Sequence, residues 1–365
     1  DRLLIPAGGG AWQQLDLASA RCLRLAATVG ATSMRAVINT GATRSVIRDQ
    51  LALQLGLPYI GATLTGTFTR DVVGSLYRVE RLTLDGVGFN NISVGSFEVA
   101  QLASLPEGVS LVIGQDVLQQ VALHVQFTKD RARLLAPSSI RSMSGYRRLS
   151  LVGTARQFPA LEMRLEAHGL ERAVVDLSSS VPVSISRDYA AQLGILGNRP
   201  ISTTMIRDSD GVSVDQIFVA RKIEFGPFTL NEVPVCVVGH WEFASPISLG
   251  WPFFAAFDAI FSLGESRLLL RGDAARIAAP FPRDRSGIGG QRGADSIIIR
   301  HVAVNSPAAA AGLKPGDMIV RIDGRRIDHA FPPQGERLGQ EPGGTRIRLD
   351  LSDGRAVILV LADYF

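Results

Sequence analysis

The chain of 365 residues repeats itself, and this repeat constrains its fold more than any other feature of the sequence. In the first half an apolar run leads into Asn39-Thr40-Gly41, and in the second half an apolar run leads into Asp176-Leu177-Ser178. Each loop is followed by a short extended piece and a short helix that a glycine ends. The sequence therefore predicts two related lobes.

A second pair of matched motifs follows at nearly the same spacing. Gly114 ends Leu111-Val112-Ile113-Gly114 and Gly250 ends Ile247-Ser248-Leu249-Gly250, so that 176 − 39 is 137 and 250 − 114 is 136. Short strands separated by Gly, Asn and Asp turns dominate both halves. We expect a mainly β fold in which residues 1–140 and 141–275 each form a small closed β-barrel.

Composition excludes several classes of function. The net charge of +4 is small and Arg alternates with Asp and Glu, which argues against nucleic-acid binding. The longest apolar stretch, Ser245 to Gly264, contains Pro246 and Pro252, so we expect no transmembrane helix. Five scattered histidines and two cysteines offer no metal spacing, and we expect no metal or organic cofactor. Buried unpaired thiols are favoured over a bridge for Cys22 and Cys236.

The first half resembles a known peptidase family. Ile38 to Thr43 is similar to the hydrophobic, hydrophobic, Asp-Thr-Gly-Ala-Thr signature of retropepsin-like aspartic peptidases, and Val112-Ile113-Gly114 resembles their second motif. The resemblance implies a two-lobed acid-protease fold in which two loops face each other. Two carboxylates there share a proton and activate a water that attacks a peptide carbonyl. It also implies a bacterial aspartic endopeptidase that binds a polypeptide substrate in the cleft between the lobes.

The candidate catalytic residues depart from the family pattern. The first loop keeps Thr40 and Gly41, but Asn39 stands where the family has its first aspartate, and an amide cannot act as a base. An inactivated enzyme and a natural, non-catalytic pseudopeptidase that holds polypeptide are the two interpretations. Asp176 is the predicted partner, with a simple turn aspartate and a homodimer of first lobes as the alternatives. Its loop carries Leu177 and Ser178 in place of the hydroxyl residue and the glycine, and Ser178 or Ser179 is the candidate substitute hydroxyl.

Two hairpins are candidates for covering the cleft, Thr65 to Leu76 and Met205 to Val214. Phe68 and Met205 are candidate substrate contacts in them, with simple packing as the alternative. Asp116 and Asp258 follow the glycine motifs where a helix is expected to start, which favours structural roles.

A third unit follows a linker at 276–286 that is rich in Ala, Pro and Arg. In residues 287–365, Pro307 opens a short helix that Gly312 ends, and Asp323-Gly324 marks a hairpin. Together with the start Ser286-Gly287-Ile288-Gly289, these features resemble PDZ domains of bacteria.

The PDZ resemblance implies that the amides around Gly287, Ile288 and Gly289 bind the terminal carboxylate of a peptide that adds to a sheet edge. Gly290 to Asp295 lacks the apolar alternation of a peptide-binding strand, and Phe331-Pro332-Pro333 interrupts the helix that should line the groove. A structural or regulatory packing role is the alternative. The chain begins with Asp1, so a leader, an anchor or a tag is expected to precede it, and the family analogy favours an exported or periplasmic protein over a cytoplasmic one.

Overall fold

The computed structural model describes residues 3–20, 22–66, 71–97, 109–153, 158–208, 211–241, 245–333 and 337–365. Short strands such as Arg24–Val29 and Arg131–Leu135 alternate buried with more exposed positions. The elements up to the first glycine motif are β1 (Leu3–Leu4), β2 (Gln13–Gln14), α1 (Leu17–Ala20), β3 (Arg24–Val29), β4 (Thr32–Ile38), β5 (Val46–Arg48), α2 (Asp49–Gln54), β6 (Tyr59–Gly66), β7 (Asp71–Leu84), β8 (Val87–Phe97) and β9 (Val109–Ile113).

The chain then passes to the second lobe through a β-hairpin that pairs with its counterpart in that lobe. These elements are α3 (Gln115–Leu118), β10 (Ala122–Gln126), a 3₁₀ turn (Phe127–Lys129), β11 (Arg131–Leu135), a 3₁₀ helix (Pro137–Ser142), β12 (Arg147–Ser150) and β13 (Val152–Gly153). The second lobe continues with β14 (Pro159–Leu165), β15 (Leu170–Asp176), β16 (Val183–Ser186), α4 (Arg187–Leu193), β17 (Ser202–Asp208), β18 (Gly211–Phe225), β19 (Phe228–Val238), β20 (Ile247–Gly250), a 3₁₀ helix (Trp251–Phe254), β21 (Phe257–Ser262), β22 (Arg267–Gly272) and α5 (Ala274–Ala278).

The two lobes share one strand topology. In the first lobe β3-β4-β9-β5-β8-β7 form a ring that the pairing of β7 with β3 closes, and in the second β14-β15-β20-β16-β19-β18 form the same ring. In both rings the strand before the polar loop runs parallel to the strand of the glycine motif, β4 beside β9 and β15 beside β20. The predicted mainly β fold with two related barrels is confirmed.

A separate sheet joins the lobes, with the order β12-β22-β21-β10-β11-β2. Its central pairing is antiparallel between β10 of the first lobe and β21 of the second, and it places Gln126 opposite Asp258. One apolar core runs through both lobes, from Leu23 and Ile38 to Phe253 and Phe257. The lobes are therefore a single packed body.

The third unit has its own sheet and core. Its elements are β23 (Ile288–Arg292), β24 (Ile297–Val302), α6 (Pro307–Ala310), β25 (Met318–Ile322), β26 (Arg325–Arg326), a 3₁₀ turn (Leu338–Gln340), β27 (Arg346–Leu351) and β28 (Ala356–Val360), in the sheet order β23-β24-β25-β27-β28. Ser306 caps α6 by accepting the amide of Ala309, and Gly312 follows with a φ of 75°. The helix that Pro307 and Gly312 predict is thus present. Across the described ranges, no helix is both long and apolar enough to cross a bilayer.

Candidate active site

Two loops of the same shape lie at the ends of the matching strands β4 and β15. The amide of Gly41 donates to Asn39 Oδ1 at 2.8 Å, and the amide of Ser178 donates to Asp176 Oδ1 at 3.0 Å. In each loop the side chain accepts a hydrogen bond from the backbone two residues later, a turn that Asn and Asp favour. Asn39 and Asp176 therefore occupy equivalent positions in the two lobes.

One hydroxyl joins the two loops across the lobe boundary. Thr40 Oγ1 donates to the carbonyl oxygen of Val175 at 2.6 Å and accepts from the amide of Leu177 at 3.0 Å. Because these two residues flank Asp176, the loops are in direct contact. Thr40 is buried, so water does not compete for these bonds. Its carbonyl oxygen accepts a further bond, from the side-chain amide of Gln115 at 2.9 Å.

The equivalent residue of the second lobe cannot form the reciprocal hydrogen bond. Leu177 has no hydroxyl, and its side chain is fully buried in the common core. The two candidate substitutes bind within their own loop, because Ser178 Oγ donates to Asp176 Oδ1 at 2.6 Å and Ser179 Oγ accepts the amide of Val181 at 3.2 Å. Both serines are thus hydrogen-bonded within their own turn, and the replacement of the missing hydroxyl by one of them stays a prediction.

The environment of Asp176 favours its neutral form. The residue is 9% exposed, and this burial raises the pKa of its carboxyl above the ordinary value. Hydrogen bonds from Ser178 and from the amide of Ser179 stabilise the carboxylate but do not offset the burial. Asn39, at the equivalent position, is half-buried and has no titratable group. The site thus presents one carboxylic acid and one amide.

Glycine is required at 114 and 250 because the two loops pass directly against these positions. A Cβ atom at Gly114 would lie 2.8 Å from the carbonyl oxygen of Ala42, and one at Gly250 would lie 2.6 Å from that of Ser179. Neither backbone carbonyl can move away without displacing its loop. The glycine motif of each lobe therefore supports the polar loop, which explains why the two motifs repeat together.

Asp116 stabilises the chain next to the first loop through hydrogen bonds. Its Oδ1 accepts the amide and the hydroxyl of Ser45 at 2.8 and 2.7 Å and the amide of Val117 at 2.9 Å. The hydroxyl of Ser45 in turn accepts the amide of Gly114 at 3.0 Å. Burial raises the pKa of Asp116, and the bonds from Ser45 oppose this effect. The residue lies in the first turn of α3, and its contacts are structural.

Asp258 lies in β21 and not at the start of a helix as expected, because the 3₁₀ helix Trp251–Phe254 ends before it. Its Oδ1 is 2.6 Å from His124 Nε2, and its Oδ2 accepts bonds from Gln126 at 2.9 Å and Arg271 at 2.6 Å. His124 and Gln126 belong to β10 of the first lobe, so this cluster ties the lobes together on the joining sheet. The sequence contained no local signal for this long-range pair.

The two hairpins differ in their surroundings. Their tips, residues 67–70 and 209–210, lie outside the described residues, and Phe68 is among them. Met205 lies in β17 and contacts the third unit, since a Cβ atom at Gly289 would be 3.1 Å from Met205 Cβ. Met205 therefore lies against the third unit, and its contact with substrate stays a prediction.

The glycine-rich start of the third unit is already hydrogen-bonded. The amide of Gly287 donates to Asp284 Oδ2 at 2.6 Å and the amide of Ile288 donates to Ser286 Oγ at 3.1 Å. Gly289 lies within β23, opposite His301. The carboxylate of Asp284 thus takes a donor that the PDZ resemblance assigned to a peptide carboxylate.

An arginine of β23 is hydrogen-bonded to the chain after β26. The guanidinium of Arg292 donates to the carbonyl oxygens of Phe331 at 3.0 Å and Pro332 at 2.5 Å. These acceptors lie in the segment that the sequence predicted to be interrupted, and residues 327–333 contain no helix.

Both cysteines are buried and free, as predicted, and burial raises the pKa of Cys22 to about 11 and that of Cys236 to about 12. No group of three His, Cys, Asp or Glu side chains among the described residues could hold a metal ion.

Two family models match parts of the chain. The family model described as Aspartyl protease matches residues 25–117, and the model described as PDZ domain matches residues 298–352. Among solved structures, the chain is similar to the crystal structure of Basic 7S globulin from soybean, with a TM-score of 0.45, 9% identity, and coverage of 74% of this chain and 97% of that one. No curated relative matches the chain.

Proposed function

Since the chain carries an aspartyl protease domain followed by a PDZ domain, we propose that the cleft between its barrels binds an extended polypeptide on the scaffold of an aspartic endopeptidase, and that Asn39 withholds hydrolysis. The observation that carries this proposal is the pair of hydrogen bonds at Thr40 Oγ1, which donates to the carbonyl oxygen of Val175 and accepts from the amide of Leu177. They join the loop of Asn39 to the residues on either side of Asp176. A polypeptide in the cleft would meet both side chains.

Asp176 has the properties of the acid in such a pair. Peptide hydrolysis by two carboxyl groups needs one that is neutral, to donate a hydrogen bond to the substrate carbonyl, and one that is ionised, to take a proton from water. The raised pKa of Asp176 keeps it neutral to higher pH than an ordinary aspartate. The step that this chain lacks is therefore proton removal from water, because Asn39 cannot accept a proton.

Asn39→Asp tests the proposal. We expect the variant to cleave an unfolded protein substrate at acid pH, with activity falling as the pH rises and the second carboxyl loses its proton. Asp176→Asn in the same background should abolish this gain. The matched control is Asn231→Asp, which adds the same carboxylate at an exposed position of β19. A correctly folded Asn39→Asp variant with no more activity than Asn231→Asp would refute the endopeptidase.

A non-catalytic polypeptide-binding module is the second candidate, and the second loop favours it. Ser178 Oγ donates a hydrogen bond to Asp176 Oδ1 at 2.6 Å. Leu177, which is buried, has no hydroxyl that could form the reciprocal hydrogen bond between the lobes. Binding of a fluorescent unfolded polypeptide separates the two candidates. A module keeps its affinity in Asn39→Asp without hydrolysis, whereas an endopeptidase consumes the probe.

A further inference from the structure

The third unit contacts one face of the hairpin formed by β17 and β18. Thr203 Oγ1 lies 3.0 Å from His301 Nε2 and accepts the amide of Val304 at 3.2 Å. Two residues further along β17, Met205 lies against Gly289, where an added Cβ atom would be 3.1 Å from Met205 Cβ. Alternate residues of a strand share a face, so Thr203 and Met205 present the same face to β23 and β24.

The opposite face of this hairpin receives Phe365. The ring of Phe365 is buried with Ile217 of β18 and Cys236 of β19, and Ile206 packs against the same cluster. Because Ile206 follows Met205 directly, its side chain points to the other side of the strand. The third unit thus holds the hairpin between two of its own segments.

A hydrogen-bond network connects the two contacts. Tyr364 donates its hydroxyl to Asp284 Oδ2 at 2.8 Å, and the same oxygen accepts the amide of Gly287 at 2.6 Å. The guanidinium of Arg285 binds Asp363 Oδ1 at 2.7 Å. The loop before β23 and the segment that carries Phe365 are therefore fixed to each other.

We propose that the partner of the PDZ unit is the β17–β18 hairpin of its own chain, and that the unit is a fixed clamp that sets the position of this hairpin. The cluster around Phe365 includes Val181, which lies in the loop that begins at Asp176. The clamp therefore reaches from the third unit to the candidate active site. Its consequence for polypeptide binding rests on the proposed function, but the clamp itself does not.

The hairpin of the first lobe provides the contrast. Leu64 and Val73 of β6 and β7 are 61% and 76% exposed, and Val212 and Val214 of β18 are 55% and 52% exposed, so both hairpins leave apolar side chains uncovered. The second hairpin is distinguished by the contacts of Thr203 and Ile206 of β17 with the third unit. The strand topology of the two hairpins is the same, and the difference lies in this contact.

The donors of the PDZ loop support the same assignment. An external peptide carboxylate would have to displace Asp284 from the amide of Gly287 and break the bond from Tyr364. Losing two hydrogen bonds of a charged acceptor opposes such binding. These hydrogen bonds favour the internal partner over an external peptide.

Hydrogen–deuterium exchange on the full chain tests the clamp, and it needs no hydrolytic activity. Phe365→Ala removes the buried ring, and Phe365 is not part of the core of the third unit. We expect amides of residues 202–208 and 211–217 to exchange at least about tenfold faster, because local opening loses a buried aromatic contact, while residues 59–66 keep their rates. Ile358→Ala, which truncates an exposed side chain of the same unit, is the matched control.

Thr203→Val tests the other face, since it removes the bonds that Thr203 makes with His301 and with the amide of Val304. It leaves Phe365 and the bond of Ser202 to the carbonyl oxygen of Val304 in place. We expect faster exchange in the same hairpin residues. Hairpin exchange that matches Ile358→Ala in both variants would overturn the clamp, and so would an equal increase in residues 59–66. A negative result in the hydrolysis assay of Asn39→Asp would leave this outcome unaffected, so the two proposals fail separately.

Discussion

Thr40 and Leu177 are joined across the lobe boundary by one hydrogen bond of 3.0 Å, from the amide of Leu177 to the hydroxyl of Thr40. The same hydroxyl donates to the carbonyl oxygen of Val175. The equivalent residue of the second lobe is Leu177 itself, which offers no hydroxyl in return. The contact between the two loops is therefore asymmetric, since the buried side chain of Thr40 makes both of these hydrogen bonds.

Thr40→Val should destabilise the lobes by about 1–3 kcal/mol, because it leaves the amide of Leu177 and the carbonyl of Val175 buried without this partner. Valine has nearly the shape of threonine, so packing is conserved. Urea unfolding followed by fluorescence measures the loss. Thr32→Val, at an exposed position of β4, is the control and should stay within about 0.5 kcal/mol of the parent. Equal stability of the two variants would contradict the role of Thr40.

Gly250→Ala should destabilise the second lobe by about 2 kcal/mol or more, since the new Cβ atom would meet backbone carbonyl oxygens of the loop after Asp176. Gly114→Ala should have the same effect in the first lobe. Thermal unfolding compares both with Gly169→Ala, where nothing lies within 4 Å of the new atom. If Gly250→Ala melts at the temperature of Gly169→Ala, the loop does not need this glycine.

The repeat in the sequence predicted the part of the site that is built from local segments. A polar loop after a strand and a glycine motif at a constant offset were enough to place Asn39 and Asp176 at equivalent positions. The hydrogen-bond partners of Ser178 and Ser179 could not be predicted, because they are set only by the folded turn.

Contacts between distant segments could not be predicted from the sequence, for a different reason. Asp258 binds His124 across the lobes, and Phe365 packs against the second lobe, but no local motif indicates either partner. Their partners are fixed only when complete sheets pack together. The fold and the two loops could therefore be predicted from the sequence, whereas the clamp and the cluster on the joining sheet could not.

Asp258→Asn should destabilise the lobes by about 2 kcal/mol at neutral pH, with a difference that disappears in acid. Burial alone would raise the pKa of Asp258, but hydrogen bonds from His124, Gln126 and Arg271 lower it from 3.8 to about 2. A carboxyl with a depressed pKa stabilises the fold above its unfolded pKa, and this stabilisation is lost as the pH falls through the folded value. The difference between parent and variant should therefore shrink between about pH 4 and pH 2.

Urea unfolding at several pH values measures this difference. The control is Glu224→Gln, whose partner Lys222 is 49% exposed, because an exposed ion pair contributes little. A difference for Asp258→Asn that does not vary with pH would show that the cluster acts through packing alone.

Asp176→Asn should make the protein more stable at neutral pH, opposite in sign to Asp258→Asn. Burial raises the pKa of Asp176, so the folded state disfavours its ionised form and loses stability as the pH rises above 3.8. Asparagine keeps an oxygen that can accept the amide of Ser178 and carries no charge. We expect a higher melting temperature than the parent at pH 7 and no gain near pH 3. Glu162→Gln, which removes an exposed carboxylate of β14, should show no such gain. Lower stability of Asp176→Asn at pH 7 would mean that the carboxylate stabilises its turn. It would also remove the reason to regard Asp176 as the acid of the site.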